Sequence, residues 1–189
     1  MKKYIVKFFW ALSVAIVILI VGVIIEIAGM LHAAFGPDND DFGKRHAIPA
    51  DLEYNEPMEL RDSVLVEPAD SLDVDNFLQI YNDFQGGKYL YDFHSCYISL
   101  PAGDIFLRCY EATENIPLSP KVIPAKSKVE IAATDYSFTQ LVNKQEFTIY
   151  EGVWGDYYAA RIEVWHRSAT TGKEIKLMEK IYRVEGWQR

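Results

Sequence analysis

The sequence predicts a mainly β (α+β) chain with three parts: an N-terminal transmembrane helix, an extended acidic tether, and a small antiparallel β-sandwich-like domain carrying one packed helix. Three observations lead there. Residues Phe8 to Ile25 form an uncharged apolar run behind Lys2, Lys3 and Lys7; the following stretch is acidic and interrupted by prolines; the remainder alternates short apolar segments with turn-forming residues.

The apolar run comes first. An α-helix rises about 1.5 Å per residue, so these eighteen residues cover about 27 Å, close to the roughly 30 Å of hydrocarbon in a bilayer. A helix satisfies its own backbone hydrogen bonds, which lets it sit where water is absent. The core is longer than that of a cleavable signal peptide, for which the small residues Ala33 and Ala34 would offer the cleavage site. Lysines before the span and acidic residues after it place residues 1–7 in the cytoplasm, residues 8–28 in the membrane, and the C-terminal part on the periplasmic or extracellular side. Glu26 falls at the far end of the span, where it meets headgroup water.

About 160 residues follow, enough for one domain with a real core. The 12 Tyr, 10 Phe and 4 Trp exclude a disordered chain. Charge divides this part in two: from Asp38 to Asp83 there are 13 acidic and 3 basic residues, net −10, whereas Phe84 to Arg189 holds 13 of each. A nucleic-acid partner therefore finds no basic footprint. Residues 36–70 read as the tether, because Pro37, Pro49, Pro57 and Pro68 interrupt regular structure and like charges keep the segment stretched. Within it, Phe42, Ile48, Leu52 and Tyr54 offer apolar handholds by which the strip would dock instead.

Residues 71–189 read as the β-rich domain. A helix is expected from Asp73 to about Gln85, with Val74, Phe77, Leu78, Tyr81 and Phe84 at helical spacing and Gly86-Gly87 ending it. His94–Leu100 and Ile105–Glu111 flank the turn cluster Pro101 to Asp104 and read as a hairpin. Further strands are expected at Lys128–Thr134, Glu146–Glu151, Tyr158–Arg167 and Glu174–Glu185, and a short helix at Asp135–Asn143. In the last strand Ile175 and Leu177 share one parity while Met178, Tyr182 and Val184 share the other, which calls for a bulge near Leu177.

Candidate chemistry is sparse. If the first hairpin pairs residues whose numbers sum to 205, Ile98, Leu100, Ile105 and Leu107 share one apolar face and Cys96 lies opposite Cys109, where oxidation outside the cytoplasm would form a disulfide. The alternative is two reduced cysteines packed as small apolar residues. The same register sets His94 against Glu111, a conceivable proton-transfer pair that reads more simply as a structural hydrogen bond. His32, His46, His94 and His166 are scattered, and Asp38-Asn39-Asp40 opens like a calcium loop but has Phe42 where an oxygen ligand belongs. No metal and no cofactor are implied. Nucleophile-elbow, P-loop and dinucleotide motifs are missing, so no catalytic residue is assigned. Tyr150, Trp154, Tyr157 and Tyr158 crowd a glycine-containing connection and form the candidate binding surface, unless Trp154 and one of the tyrosines plug the end of the core.

These features describe a non-catalytic, membrane-anchored binding or assembly module outside the cytoplasm. It would contact lipid through the N-terminal helix and a protein partner through the domain. The rival readings are an inhibitor or immunity-type protein that blocks one enzyme or toxin outside the membrane, and a small membrane-tethered hydrolase. The topology predicts that protease added to osmotically opened cells removes the domain and leaves a small membrane-embedded N-terminal fragment. A fully protected C-terminus would reverse the orientation.

Overall fold

A computed structural model describes residues 41–60, 76–83, 85–95, 98–135 and 139–187. The predicted transmembrane segment lies outside these residues, and among the described residues no helix is long and apolar enough to cross a membrane. The elements in chain order are α1 (Phe42–Arg45), β1 (Met58–Glu59), β2 (Phe77–Asn82), β3 (Lys88–Ser95), β4 (Gly103–Glu111), β5 (Pro117–Leu118), α2 (Val122–Lys126), β6 (Val129–Ile131), β7 (Thr139–Thr148), β8 (Tyr158–Ser168) and β9 (Glu174–Val184). The fold is mainly β, as expected. One sheet has the order β1-β2-β3-β7; the other runs β5-β4-β8-β9 with β6 also on β4. All named pairings are antiparallel except β1 with β2.

Both sheets bury side chains in a common core, which draws Leu78, Tyr91 and Phe147 from one and Leu107, Ile162 and Val184 from the other. Its polar tips are satisfied across the core: Tyr91 Oη donates to the Ser127 carbonyl at 2.6 Å and Tyr182 Oη to the Leu78 carbonyl at 2.9 Å.

The helix expected over Asp73–Gln85 is not formed where it can be seen, because residues 77–82 are strand β2. Alternation puts both Leu78 and Ile80 in the core with no exposure, whereas the helical stripe left Ile80 off the buried face. Gly86-Gly87 closes a β2–β3 hairpin rather than capping a helix. Asp83 N donates to Lys88 O and Lys88 N to Gln85 O, and Gly87 takes φ +74 beside the Trp187 backbone, where a Cβ has no room.

The hairpin summing to 205 is also replaced. β3 pairs with β2 and β7, whereas β4 lies in the other sheet with β8 along one edge and β5 and β6 along the other. With Leu107 N donating to Ser127 Oγ between β5 and β6, β4 has no continuous edge for residues 94–100, and Leu100 instead exchanges hydrogen bonds with Thr134. The turn cluster is a crossing between sheets, held by Ala169 N donating to Ala102 O and by Gly103 packing against the Arg167 carbonyl. The apolar parity survives this change: Leu100, Ile105 and Leu107 are all buried in one core, with Ile98 packed against it.

The short helix expected at Asp135–Asn143 gives way to β7, whose Thr139, Gln140 and Val142 pair with Ser95, His94 and Phe93; residues 136–138 lie outside the described ones. The strands expected at Tyr158–Arg167 and Glu174–Glu185 form as β8 and β9; that expected at Lys128–Thr134 shortens to β6, and that expected at Glu146–Glu151 is only the end of β7, which stops at Thr148. In the β8–β9 pair, Val164 faces Met178 and Trp165 faces Lys176, so Leu177 is the bulged residue that the parity break demanded.

The tether reading of residues 36–70 fails for residues 41–60, which pack on the domain; the compact unit runs from Asp38 to Arg189. Phe42 is in the core with its ring 5.0 Å from that of Tyr158. Asn55 bridges to β9, its N donating to Ile181 O at 2.8 Å and its carbonyl accepting from Arg183 N at 2.9 Å, and β1 adds to β2. Ile48 and Leu52 are half-buried, while Tyr54 is exposed. Phe42→Ala is expected to cost about 3 kcal/mol, a fall of roughly 6–12 °C in thermal midpoint for a domain of this size. A midpoint unchanged in a calorimetric scan would return the strip to the status of a tether.

Candidate binding surface

The connection between β7 and β8 runs from Ile149 to Tyr157 and is fastened at each step. Ile149 is fully buried; its N donates to Gly87 O and its carbonyl accepts from Trp187 N, both at 2.9 Å. The Glu151 carboxylate accepts from Ser119 N and Ser119 Oγ, each at 2.7 Å, and Ser119 Oγ in turn accepts from Tyr150 N at 3.0 Å. Gly152 and Gly155 take φ +89 and +90, the left-handed backbone that glycine tolerates. Gly155 N donates to the carboxylate of Glu185, a residue only 3 % exposed. Tyr158 Oη donates to the Glu151 carbonyl at 2.7 Å, and burial drives its phenol well above the ordinary range.

This framework presents Tyr150, Trp154 and Tyr157 at 40 %, 56 % and 42 % exposure, whereas Tyr158 is wholly buried and leaves the expected surface set. Of the alternative, in which Trp154 and one tyrosine plug the core, the tyrosine is Tyr158, whereas Trp154 stays exposed. The Trp154 ring lies across Gly86, where any Cβ would collide with it. Tyr157 stacks under the Arg183 guanidinium at 4.0 Å, and Arg183 pairs with Glu56 of the docked strip at 3.0 Å. Burial and the Glu185 carboxylate raise the Tyr157 phenol, so at neutral pH it remains a hydrogen-bond donor.

The other candidate residues disperse. Cys109 is a buried free thiol opposite Ile162 and Leu118, its acidity suppressed by burial, and Cys96 lies outside the described residues. His94 and Glu111 are in different sheets, because the register that would have joined them does not form. Glu111, fully buried, accepts from Thr113 N, Thr113 Oγ1 and Glu114 N, and its nearest histidine is His46, with Nδ1 at 3.9 Å. His166 bonds the Pro101 carbonyl at 2.9 Å. The start of the calcium-like stretch, Asp38 to Asp40, is outside the described residues. Among those described, no three His, Cys, Asp or Glu side chains gather as a metal site. A groove of about 670 Å³ between β6 and the start of β7 is lined by Ile131, Ala132, Ala133 and Leu141 with Glu130 and Asp135, and no histidine lines it.

Sequence reasoning missed the supports of the aromatic end: Ser119, Glu151, Glu185 and Gly186. The signal that was present is the Glu-Gly pair following each of two strands, Glu151-Gly152 and Glu185-Gly186, which pack so closely that a Cβ on Gly186 would strike the carbonyls of Glu151 and Gly152. No protein-family model matches the chain, and no curated protein or solved structure matches it either.

Glu151→Ala removes two charge-assisted hydrogen bonds and strands the Ser119 amide. It should cost roughly 2–4 kcal/mol in denaturant unfolding. A cost below about 0.5 kcal/mol, the scale of an ordinary surface change, would show that the carboxylate does not hold the connection.

Proposed function

We propose that the chain is a membrane-anchored, extracytoplasmic binding or assembly module without catalytic activity, built as a β-sandwich whose working surface is the aromatic end formed by Tyr150, Trp154 and Tyr157. The observation that carries this reading is the asymmetry of the exposed apolar side chains. Of the five large exposed ones among the described residues, Tyr150, Trp154 and Tyr157 share one connection, and Tyr54 directly precedes Asn55, which is bonded to β9 beside the Arg183 that covers Tyr157; only Ile175 stands apart. The β8–β9 register sets Ile175 against His166 and Val184 against Tyr158, so Ile175 lies at the opposite end of the strand pair. Rigid aromatics with a polar edge provide binding area at small entropic cost, since their two side-chain torsions are already fixed.

The carboxylates that a hydrolase would recruit are engaged elsewhere. Glu111 and Glu185 are buried acceptors of backbone N–H groups, and Glu163 accepts from Arg161, Trp165 and Lys176. Each is spent on holding backbone or neighbouring strands. In native membranes, Trp154→benzoylphenylalanine in the full-length chain is expected to yield a discrete photo-adduct that Ile175→benzoylphenylalanine does not. Equal labelling at both positions, or none at residue 154, would remove the aromatic end as the working surface.

A further inference from the structure

The aromatic end and the point at which the chain enters the folded unit are the same place. The Phe42 ring meets that of Tyr158 edge to face, a Cβ on Gly43 would meet the Asp156 carbonyl oxygen at 2.5 Å, and Lys44 Nζ lies 3.7 Å from the Asp156 carboxylate. Asp156 is the residue just before the exposed Tyr157 and two after Trp154. On the reading above, residues 8–28 span the membrane and residues 29–40 alone separate it from Asp41. Fully extended, those twelve residues reach at most about 43 Å. A domain of this size has a radius of gyration of about 15 Å, so the surface beside Asp41 is confined close to the bilayer at high effective concentration.

We infer that the aromatic end seats on the zwitterionic headgroup layer of the membrane in which the chain is anchored. This rests on the proposed function and names the partner of that same surface. Tyr and Trp rings favour the membrane–water boundary, where the ring meets acyl chain and its O–H or N–H stays wet. The rings are held in place before any contact: Trp154 across Gly86, Tyr157 under Arg183, and their connection by Glu151 and Glu185. Charge selects the lipid. Lys44 is opposed by Asp41 and Asp156, and Arg183 by Glu56, so the rim offers no net positive charge to an anionic headgroup. The acidic excess of the segment from Asp38 to Asp83 is repelled by one.

The test uses the full-length chain in vesicles of pure phosphatidylcholine, with Tyr150→benzoylphenylalanine or Ile175→benzoylphenylalanine and mass spectrometry of the adducts. Phospholipid adducts are expected at residue 150 in about tenfold excess over residue 175. Adding Trp154→Ala and Tyr157→Ala to the residue-150 probe should lower the yield at least about tenfold, since each ring removed takes its apolar area with it. Including phosphatidylglycerol should not raise it. Equal labelling at 150 and 175 overturns the inference without relying on any loop substitution, and so does a severalfold rise with the anionic lipid. A protein adduct at residue 154 in native membranes with no lipid adduct at residue 150 in vesicles would keep the aromatic end as the working surface and overturn its lipid partner. Adducts in neither setting would overturn both.

Discussion

Strand β4 is engaged along both edges, and much of the architecture follows from that constraint. β8 occupies one side along its whole length, while β5 and β6 divide the other between Cys109–Tyr110 and Gly103–Ile105. Ser127 Oγ takes the Leu107 N–H between them, so a strand engaged in this way has no continuous edge for the segment that immediately precedes it. The chain from β3 is therefore sent to the other sheet through Pro101, which has no N–H to offer a ladder, and the two sheets are formed from what would otherwise be one hairpin. Because both contribute to one core, with Tyr91 from one and Leu107 and Ile162 from the other, they can bury aromatic side chains larger than a single small sheet could cover.

The same economy governs the buried acids. A carboxylate in the interior is costly unless hydrogen bonds compensate for lost water, and the buried Glu111 and Glu185, like the half-buried Glu151, accept from backbone amides in connections rather than in strands. They act as fixed acceptors that turn loops into defined surfaces. The end of the domain carrying Trp154 is shaped in this way by the buried Glu185 and the half-buried Glu151.

What the sequence revealed depended on whether the deciding constraint was local. The β8–β9 pair, and even the bulged Leu177, were legible because side-chain parity records which face each residue occupies. Residues 77–82 were misread because Phe77, Leu78 and Tyr81 fit a helical stripe as well as a strand, and only pairing with β3 decides between them. The Cys96–Cys109 register had the right apolar parity and the wrong neighbour, since occupation of both edges of β4 is a property of distant segments. Docking of residues 41–60 was muted by charge: one buried Phe42 among acidic and proline residues outweighs a composition that argues for extension. The exposed rings were readable from their crowding around glycines, but the depth of Tyr158 was not, because neighbouring tyrosines in a connection look alike until one becomes the first residue of a strand.

The docked strip touches a margin of each sheet. It lies parallel to Tyr81–Asn82 through β1 and supplies the partner for Ile181 and Arg183 through Asn55. Open strand margins are templates for joining to other chains, and proteins survive by blunting them. Here a single acidic segment covers one end of each, with Glu59 exposed and Glu56 paired with Arg183 of β9. Cleavage or release of that segment would thus bare backbone at two places at once, beside Tyr81–Asn82 in one sheet and beside Ile181–Arg183 in the other, and lengthen the strand edge that each sheet offers to a neighbouring copy.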